Sequence, residues 1–283
     1  MEHQEDYFPV LNIQEFSGQQ SQASNLLFHE LRGERSIEHP HKHDFFIIML
    51  FGQGSGTHII DFVEYQIQER QVHLLFPGQV HQWKIEQETV AYQLMISREW
   101  FEHFSPSLRF SSSYYQQHPV FTVSEKDYQA LLYEFQAIRQ ALEEKEIFRE
   151  LVQARSQVIG LLVSKIVESS FKDFETYHSN PIISRFLSAI ELHFKRERSV
   201  AFYAERLHIS ANYLNIVCRK NLNASASSLI QDRILLEAKR LLKVSEMSVK
   251  DIVYELGFYD HASFSKFFKA QTGMAPTQFK EQA

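Results

Sequence analysis

The last hundred residues carry one pattern twice, about fifty positions apart, and it restricts this part of the chain to paired short helices. The first copy runs from Ser199 to Ser210 and on through Ala211 to Lys220. The second runs from Ser248 to Tyr259 and on through Asp260 to Lys269. Each reads as helix, tight turn, helix. Ser199 and Ser248 stand as N-caps, and Asp251 adds a carboxylate to the first turn of the second copy, where the helix dipole favours it. Gly257 can take a positive φ at the second turn, with Leu207 and Leu256 at matching inward places just ahead of the turns. In the helices that follow, Leu214, Val217 and Cys218, like Phe264, Phe267 and Phe268, sit at i, i+3, i+4 and predict one buried stripe each.

The opposite faces carry groups suited to groove reading and phosphate binding. These are Asn212, Asn215, Ile216, Arg219 and Lys220 in the first copy, and His261, Ser265, Lys266 and Lys269 in the second. Charge divides the chain in the same sense. Residues 181–283 hold 15 Lys and Arg against 10 Asp and Glu, a net +5; subtraction from the chain totals of 29 and 35 leaves 14 against 25, a net −11, for residues 1–180. The basic part gains from counterion release on a phosphate backbone, and the acidic part does not.

These residues resemble the DNA-binding region of the AraC/XylS family, in which two helix-turn-helix units are joined by a long helix. The most specific segment is Gly257 to Phe279, with Gly273 ending the second recognition helix. The resemblance implies a first unit at about 199–220, a joining helix at about 227–244 with Ile230, Ile234, Leu235, Ala238, Leu241 and Leu242 on its apolar side, and a second unit at about 248–272. Arg233, Lys239 and Arg240 on the joining helix read as solvated surface. The sequence departs from the family at Asn223, where the second copy has Gly273, and at Ile216, where relatives carry a polar or basic base reader. Asn tolerates the left-handed conformation, so the first turn survives. Base edges are then expected to meet Asn212, Asn215 and Ile216, or His261, Ser265 and Lys266, while Arg219, Lys220 and Lys269 hold phosphates.

Residues 1–110 read differently. Short β-type runs at Phe45–Phe51, Gly56–Asp61, Val72–Phe76 and Thr89–Ile96 are separated by Gly52, Gly54, Gly56 and the Pro77–Gly78 turn, the pattern of a small antiparallel barrel or jelly roll. The stretch from His39 to Phe46, and later Phe76 to Trp83, resembles the two short motifs of a cupin barrel. Such barrels precede this type of DNA-binding region as small-molecule sensors. From about 124 to 171 the period turns helical, with one stripe at Leu131, Leu132, Phe135, Ile138 and Leu142 and another at Leu151, Val152, Val158, Ile159, Leu162, Val163 and Ile166. In the family, helices beside the barrel mediate dimerisation, so Leu131, Phe135, Ile138 and Leu142 are the dimer candidates, with packing on the barrel as the alternative. Phe171 to Asn180 is the expected interdomain linker, giving domains at 1–170 and 181–283.

His41 and His43, two apart, project to one face, and His81 comes from the second cupin motif; with Trp83 they are the ligand-pocket candidates. Three histidines can hold a divalent metal with water as fourth ligand, or bind an organic acid or sugar by hydrogen bonds. The carboxylate of metal-binding cupins is missing here, since Ile47 and Ile48 occupy its place and Asp44 alternates to the other side of the strand from His43. No cofactor is therefore required, and His58 and His73 read as core or wall residues. The expected fold is an α+β multidomain protein: a cupin-like antiparallel barrel with a helix pair, then an all-α domain with two helix-turn-helix units. The expected function is a homodimeric transcriptional regulator of double-stranded DNA, responsive to a small-molecule effector and acting on RNA polymerase. The alternatives are a metal-dependent cupin enzyme carrying a DNA-binding appendage and a regulator controlled by a protein partner. No nucleophile–base pair supports catalysis. The first residues lack a basic and apolar leader, and the longest apolar run is too short to span a bilayer, so a cytoplasmic, bacterial, nucleoid-associated setting without membrane contact is expected.

Overall fold

A computed structural model describes residues 10–11, 13, 25–109, 112–171 and 180–281. The chain divides into two compact units, Phe8–Lys172 and the part from Asp173 onward. The expected linker falls largely on residues 172–179, outside the described residues. No helix among the described residues is long and apolar enough to cross a membrane.

The first unit contains two five-stranded sheets. The strands are β1 (Val10–Leu11), β2 (Leu26–Arg32), β3 (Arg35–His43), β4 (Phe46–Gln53), β5 (Gly56–Ile60), β6 (Val63–Gln66), β7 (Gln71–Leu75), β8 (Val80–Ile85), β9 (Val90–Ile96) and β10 (Val120–Thr122). One sheet has the order β1-β3-β8-β5-β6 and the other β10-β7-β4-β9-β2, every pair antiparallel except β1 with β3. The apolar run at β4 follows from its central place, covered on both faces. Phe45, Ile47, Met49 and Phe51 point into a core shared with Ile60, Ile85 and Met95. Phe46 faces the other way, within ring contact of Phe76, Phe101 and Phe104.

Two long helices complete this unit after the short α1 (Arg98–Phe104) and α2 (Ser112–Gln117): α3 (Glu125–Glu143) and α4 (Arg149–Ser170). Ser124 caps α3 by accepting from the Asp127 amide. The dimer candidates need correction. Leu131, Phe135 and Ile138 are fully buried within their own unit and Leu142 is half-buried, because that stripe is spent on intramolecular packing. Leu151 and Val158, read from the sequence as part of the inner stripe of α4, are instead 42% and 40% exposed, and Leu161 is 51% exposed.

The second unit is all helical: α5 (Pro181–His193), α6 (Val200–Arg206), α7 (Ala211–Leu222), α8 (Ala226–Val244), α9 (Val249–Glu255), α10 (His261–Thr272) and α11 (Pro276–Glu281). Each helix-turn-helix copy starts on its expected cap; Ser199 accepts from Phe202, and Ser248 with Asp251 forms a reciprocal capping box. The two turns share one hydrogen-bond plan. His208 N–H donates to Glu205 and Ile209 N–H to Ala204, as Gly257 N–H does to Tyr254 and Phe258 N–H to Val253. Gly257 sits at φ +69, and a Cβ there would lie 2.2 Å from the Lys195 carbonyl oxygen. His208 holds the matching left-handed place at φ 57, and Asn223 and Gly273 end α7 and α10 in the same conformation at φ 52 and 79.

The joining helix is α8, with Ile230, Ile234, Ala238, Leu241 and Leu242 buried. Its basic residues are not the solvated surface expected from sequence. Arg240 is 5% exposed, and Arg233 pairs with Glu191 and Glu237 while lying 3.9 Å over the Phe194 ring. Burial pushes the Glu237 carboxyl up, but Arg233 and Arg240 outweigh it and hold it below the usual carboxylate range.

Candidate functional site

A cavity of about 350 Å³ opens inside the barrel, and β3, β8, β2 and β9 supply its walls. All four pocket candidates line it: His41, His43, His81 and Trp83. His41 lies directly opposite His81 across the β3–β8 pairing, and a bulge between Ile37 and His41 sets the register. Leu31, Ile37 and Met95 add apolar wall, which suits a small molecule with an apolar body. His29, Arg35, Ser36 and Gln93 add polar groups that the sequence reading missed.

The histidines are more numerous and more ordered than their spacing revealed. His43 Nε2 is 2.7 Å from His81 Nε2; His81 Nδ1 is 3.0 Å from His58 Nε2; His58 Nδ1 is 2.8 Å from His73 Nδ1. His73 Nε2 ends the series on Gln71 Oε1 at 3.1 Å. His58 and His73, expected as core or wall, are fully buried, and their contact crosses from one sheet to the other. Burial pushes all five imidazoles below the ordinary histidine range, His43 and His58 to about 3, with neighbouring histidines adding to the effect for all but His41. They are neutral at physiological pH.

The donor set does not fit the resident metal of a cupin. His41, His43 and His81 place one nitrogen each within 4.8 Å of the others, close enough for a shared ion. Yet His43 Nε2 and His81 Nε2 share a hydrogen bond whose proton an ion would have to displace. Ile47 and Ile48, in the place of the carboxylate, are fully buried in apolar packing.

In the helical unit, α7 and α10 display the predicted polar faces. Asn212, Ile216, Arg219 and Lys220 are exposed on α7, and His261, Lys266 and Lys269 on α10, with Ser265 half-buried and 3.3 Å from His261 Nδ1. Asn215 is different. Its Nδ2 donates to the Ala211 carbonyl and its Oδ1 accepts from the Ala226 backbone N–H at the start of α8. The matching helix start in the second copy is Pro276, which has no N–H to satisfy, and Ser265 is spared that duty. Tyr213 and Tyr259, 47% and 93% exposed, stand beside these faces and were not singled out from sequence. Cys218 is fully buried, its thiol pushed up to about 11 by burial, so it is an unreactive core residue.

Comparison with known proteins agrees with this division. Residues 25–157 match a family described as an AraC-like ligand binding domain, and residues 203–282 match a helix-turn-helix domain. A Bacillus subtilis (strain 168) protein described as the uncharacterized HTH-type transcriptional regulator YfiF is 26% identical over 260 residues, 85% of this chain and 78% of that protein. The HTH-type transcriptional activator RhaS of Escherichia coli O81 (strain ED1a) is 21% identical over 243 residues, 85% of this chain and 87% of that one. The arabinose operon regulatory protein of Escherichia coli K12 is 31% identical over 81 residues, 29% of this chain and 28% of that one. Among solved structures, wild-type ToxT of Vibrio cholerae strain SCE256 bound to an unsaturated fatty acid aligns over 90% of this chain and 94% of its own, with a TM-score of 0.44 and 15% identity.

Proposed function

The chain belongs to the AraC family of helix-turn-helix transcriptional regulators, and on that premise we propose that a small molecule in the barrel cavity governs how the tandem units grip DNA and recruit RNA polymerase. The observation that carries this reading is the cavity itself: a cleft open to solvent beside His29, Arg35 and Ser36, walled by Trp83, Leu31 and Met95 and lined by imidazoles, in the unit matched to the ligand-binding family. An effector acts only if it binds the two functional arrangements with different affinity.

On DNA, α7 and α10 each enter a major-groove segment, the two segments about 34 Å apart along one face of the duplex. Asn212 and Ile216 meet base edges from α7, and His261, Ser265 and Lys266 do so from α10. Arg219, Lys220 and Lys269 hold phosphates. Asn215 leaves the base-reading set, because its amide is committed to the start of α8.

The dimer seam moves to the outer face of α4. Leu151, Ala154, Val158 and Leu161 are exposed there at spacings of three, four and three, the 3.5-residue period of a two-helix seam that a second copy matches.

The test combines selection of bound DNA from a random pool with a metabolite screen against the selected site at fixed salt. A compound that shifts both DNA affinity and the unfolding of the barrel supports the reading. Selection of no sequence above background refutes DNA specificity, and a Leu151→Glu/Leu161→Glu protein that sediments like the parent refutes the seam.

A further inference from the structure

The two helix-turn-helix turns need the same left-handed backbone, yet only the second uses glycine, and a loop packed against that turn gives the reason. His208, at φ 57 in the first copy, is exposed. Gly257, at φ 69 in the second, lies against the Lys195 backbone, whose carbonyl oxygen would be 2.2 Å from any Cβ. The loop between α5 and α6 leads into the first copy, but it crosses the turn of the second on the way.

This loop is held on both sides. On the first copy, Tyr203 of α6 is fully buried, in ring contact with Phe186 of α5, and donates its hydroxyl to the Glu197 carbonyl at 2.8 Å. Phe194 is buried with the Arg233 guanidinium of α8 over its ring. On the second copy, Lys195 Nζ donates to Glu255, and Arg198 Nη2 donates to the Leu256 carbonyl oxygen. The Arg198 guanidinium also lies 3.5 Å over the Phe258 ring, and Phe258 is in ring contact with Phe264 and Phe267 of α10. The Lys195–Glu255 pair is exposed and adds little. Arg198 carries the connection, because it is half-buried and its planar fork meets a carbonyl and a ring face at once.

The main connection between the two copies is α8, a helix of 19 residues. Helices of that length curve readily, and a contact away from the axis resists both bending and twisting. On B-DNA one base pair corresponds to about 3.4 Å along the duplex and about 35° around it. A modest swing of α10 relative to α7 therefore changes which separation of recognised segments fits.

We propose that Arg198 is a positioning residue for DNA recognition: by tying the α5–α6 loop to Leu256 and Phe258, it fixes the separation of the two recognition helices and with it the spacing of the two DNA segments that the protein accepts. This rests on the reading of α7 and α10 as the groove-entering helices. Arg198 selects spacing without touching a base or a phosphate, and Gly257 is the residue that lets the loop come close enough.

Two measurements on the full-length protein test the proposal. The first takes a selected DNA site, and copies with one base pair inserted or removed between its two recognised segments, through gel-shift titrations at several salt concentrations. Wild type should favour one spacing by about tenfold over its neighbours, and Arg198→Lys, which keeps the charge but not the planar fork, should bring that ratio below about threefold. Base preference within each segment should stay as in wild type. Arg198→Met should relax spacing in the same way and leave the salt slope unchanged. A wild-type protein indifferent to spacing, or a spacing ratio unchanged in Arg198→Lys, overturns the proposal. A salt slope lower by about 1 in Arg198→Met makes Arg198 a phosphate ligand and overturns it as well; should that variant not fold, the spacing ratio of Arg198→Lys decides.

The second measurement needs no DNA. Spin labels at Glu205→Cys on α6 and Lys250→Cys on α9, both exposed positions, report the distance between the copies by pulsed EPR, with labelled chains diluted in unlabelled protein. Cys218 is fully buried and stays unlabelled. The distance distribution should be single and narrow with Arg198 present and wider in Arg198→Lys; equal widths overturn the proposal. A chain that shows this widening but selects no DNA sequence refutes the DNA reading and leaves the fixed separation of the helices standing.

Discussion

Five buried neutral imidazoles make the barrel sensitive to mild acid. Burial holds His43 and His58 at about 3 in the folded chain, against an ordinary value of 6.5. The unfolded chain therefore binds more protons below pH 6.5, and the folded state loses stability as pH falls from 6.5 toward about 3. Above pH 6.5 the effect is absent, because both states are neutral. At pH 5 each of the two histidines costs about 2 kcal/mol, from about 1.4 kcal/mol per pH unit over about 1.5 units. Together they remove about 4 kcal/mol, a large part of the roughly 5–15 kcal/mol that holds a typical domain. His41, His73 and His81 act in the same direction.

The assay is urea unfolding followed by tryptophan fluorescence with a chelator present. Both tryptophans, Trp83 and Trp100, lie in the barrel unit, so the signal reports on it alone. Between pH 6.5 and 5 ordinary carboxylates stay ionised in both states, and the histidines dominate the slope. With two protons the slope is about 2.7 kcal/mol per pH unit. His58→Gln should lower that slope whatever it does to stability at pH 7. A free energy of unfolding that changes by less than about 1 kcal/mol between pH 7 and 5, or a slope unaltered in His58→Gln, would refute the reasoning.

The two turns respond oppositely to exchange. His208→Gly should stabilise the helical unit by about 0.5–1 kcal/mol, read from the far-UV transition, since glycine accepts φ 57 without a Cβ penalty. Gly257→Ala should destabilise it by more than that, because strain adds to a clash with the Lys195 carbonyl. Asn215→Ala should cost about 1–3 kcal/mol by orphaning the Ala226 N–H, and adding Ala226→Pro should recover most of it, as Pro276 does in the second copy. Equal losses in the single and double variants would show that the bond is unimportant. On a selected DNA site, Lys266→Ala should cost about 1–3 kcal/mol and relax the base preference, whereas Lys269→Ala should weaken all sequences alike and lower the salt slope by about 1. Gel-shift titrations at several salt concentrations separate the two.

The helices were legible because their signals are local: caps at Ser199 and Ser248, and stripes at helical spacing. The turn at His208 was legible in principle, since histidine is among the residues enriched in left-handed conformation, but no glycine drew attention to it. The cavity was only half legible. His41, His43 and His81 could be grouped by strand alternation, yet Gln93 and Met95 lie on β9, which is buried on both faces and shows no polar alternation to mark its inward side. The contact of His58 with His73 depends on two sheets closing on one another, which no spacing along the chain records. The dimer candidates failed for a related reason. Periodicity shows that Leu131, Phe135 and Ile138 are covered, but not whether the cover is the same chain or another.

The two helix-turn-helix copies reach one backbone geometry by different chemistry, and the difference bears on which of them reads bases. The second copy leaves its backbone to Gly257, Gly273 and Pro276, residues that need no side-chain help at those positions. The first copy must use His208 and Asn223 at the left-handed places and spend the Asn215 amide on the start of α8. Of the base-edge candidates proposed on its second helix, Asn212 is then the polar one left on the exposed face, next to apolar Ile216, with Arg219 and Lys220 the residues proposed for phosphates. On α10 the corresponding positions are free to carry His261, Ser265 and Lys266. Phosphate contacts position a protein on DNA without selecting sequence, so under the proposed contacts we infer that selectivity falls mainly to α10, with α7 chiefly an anchor.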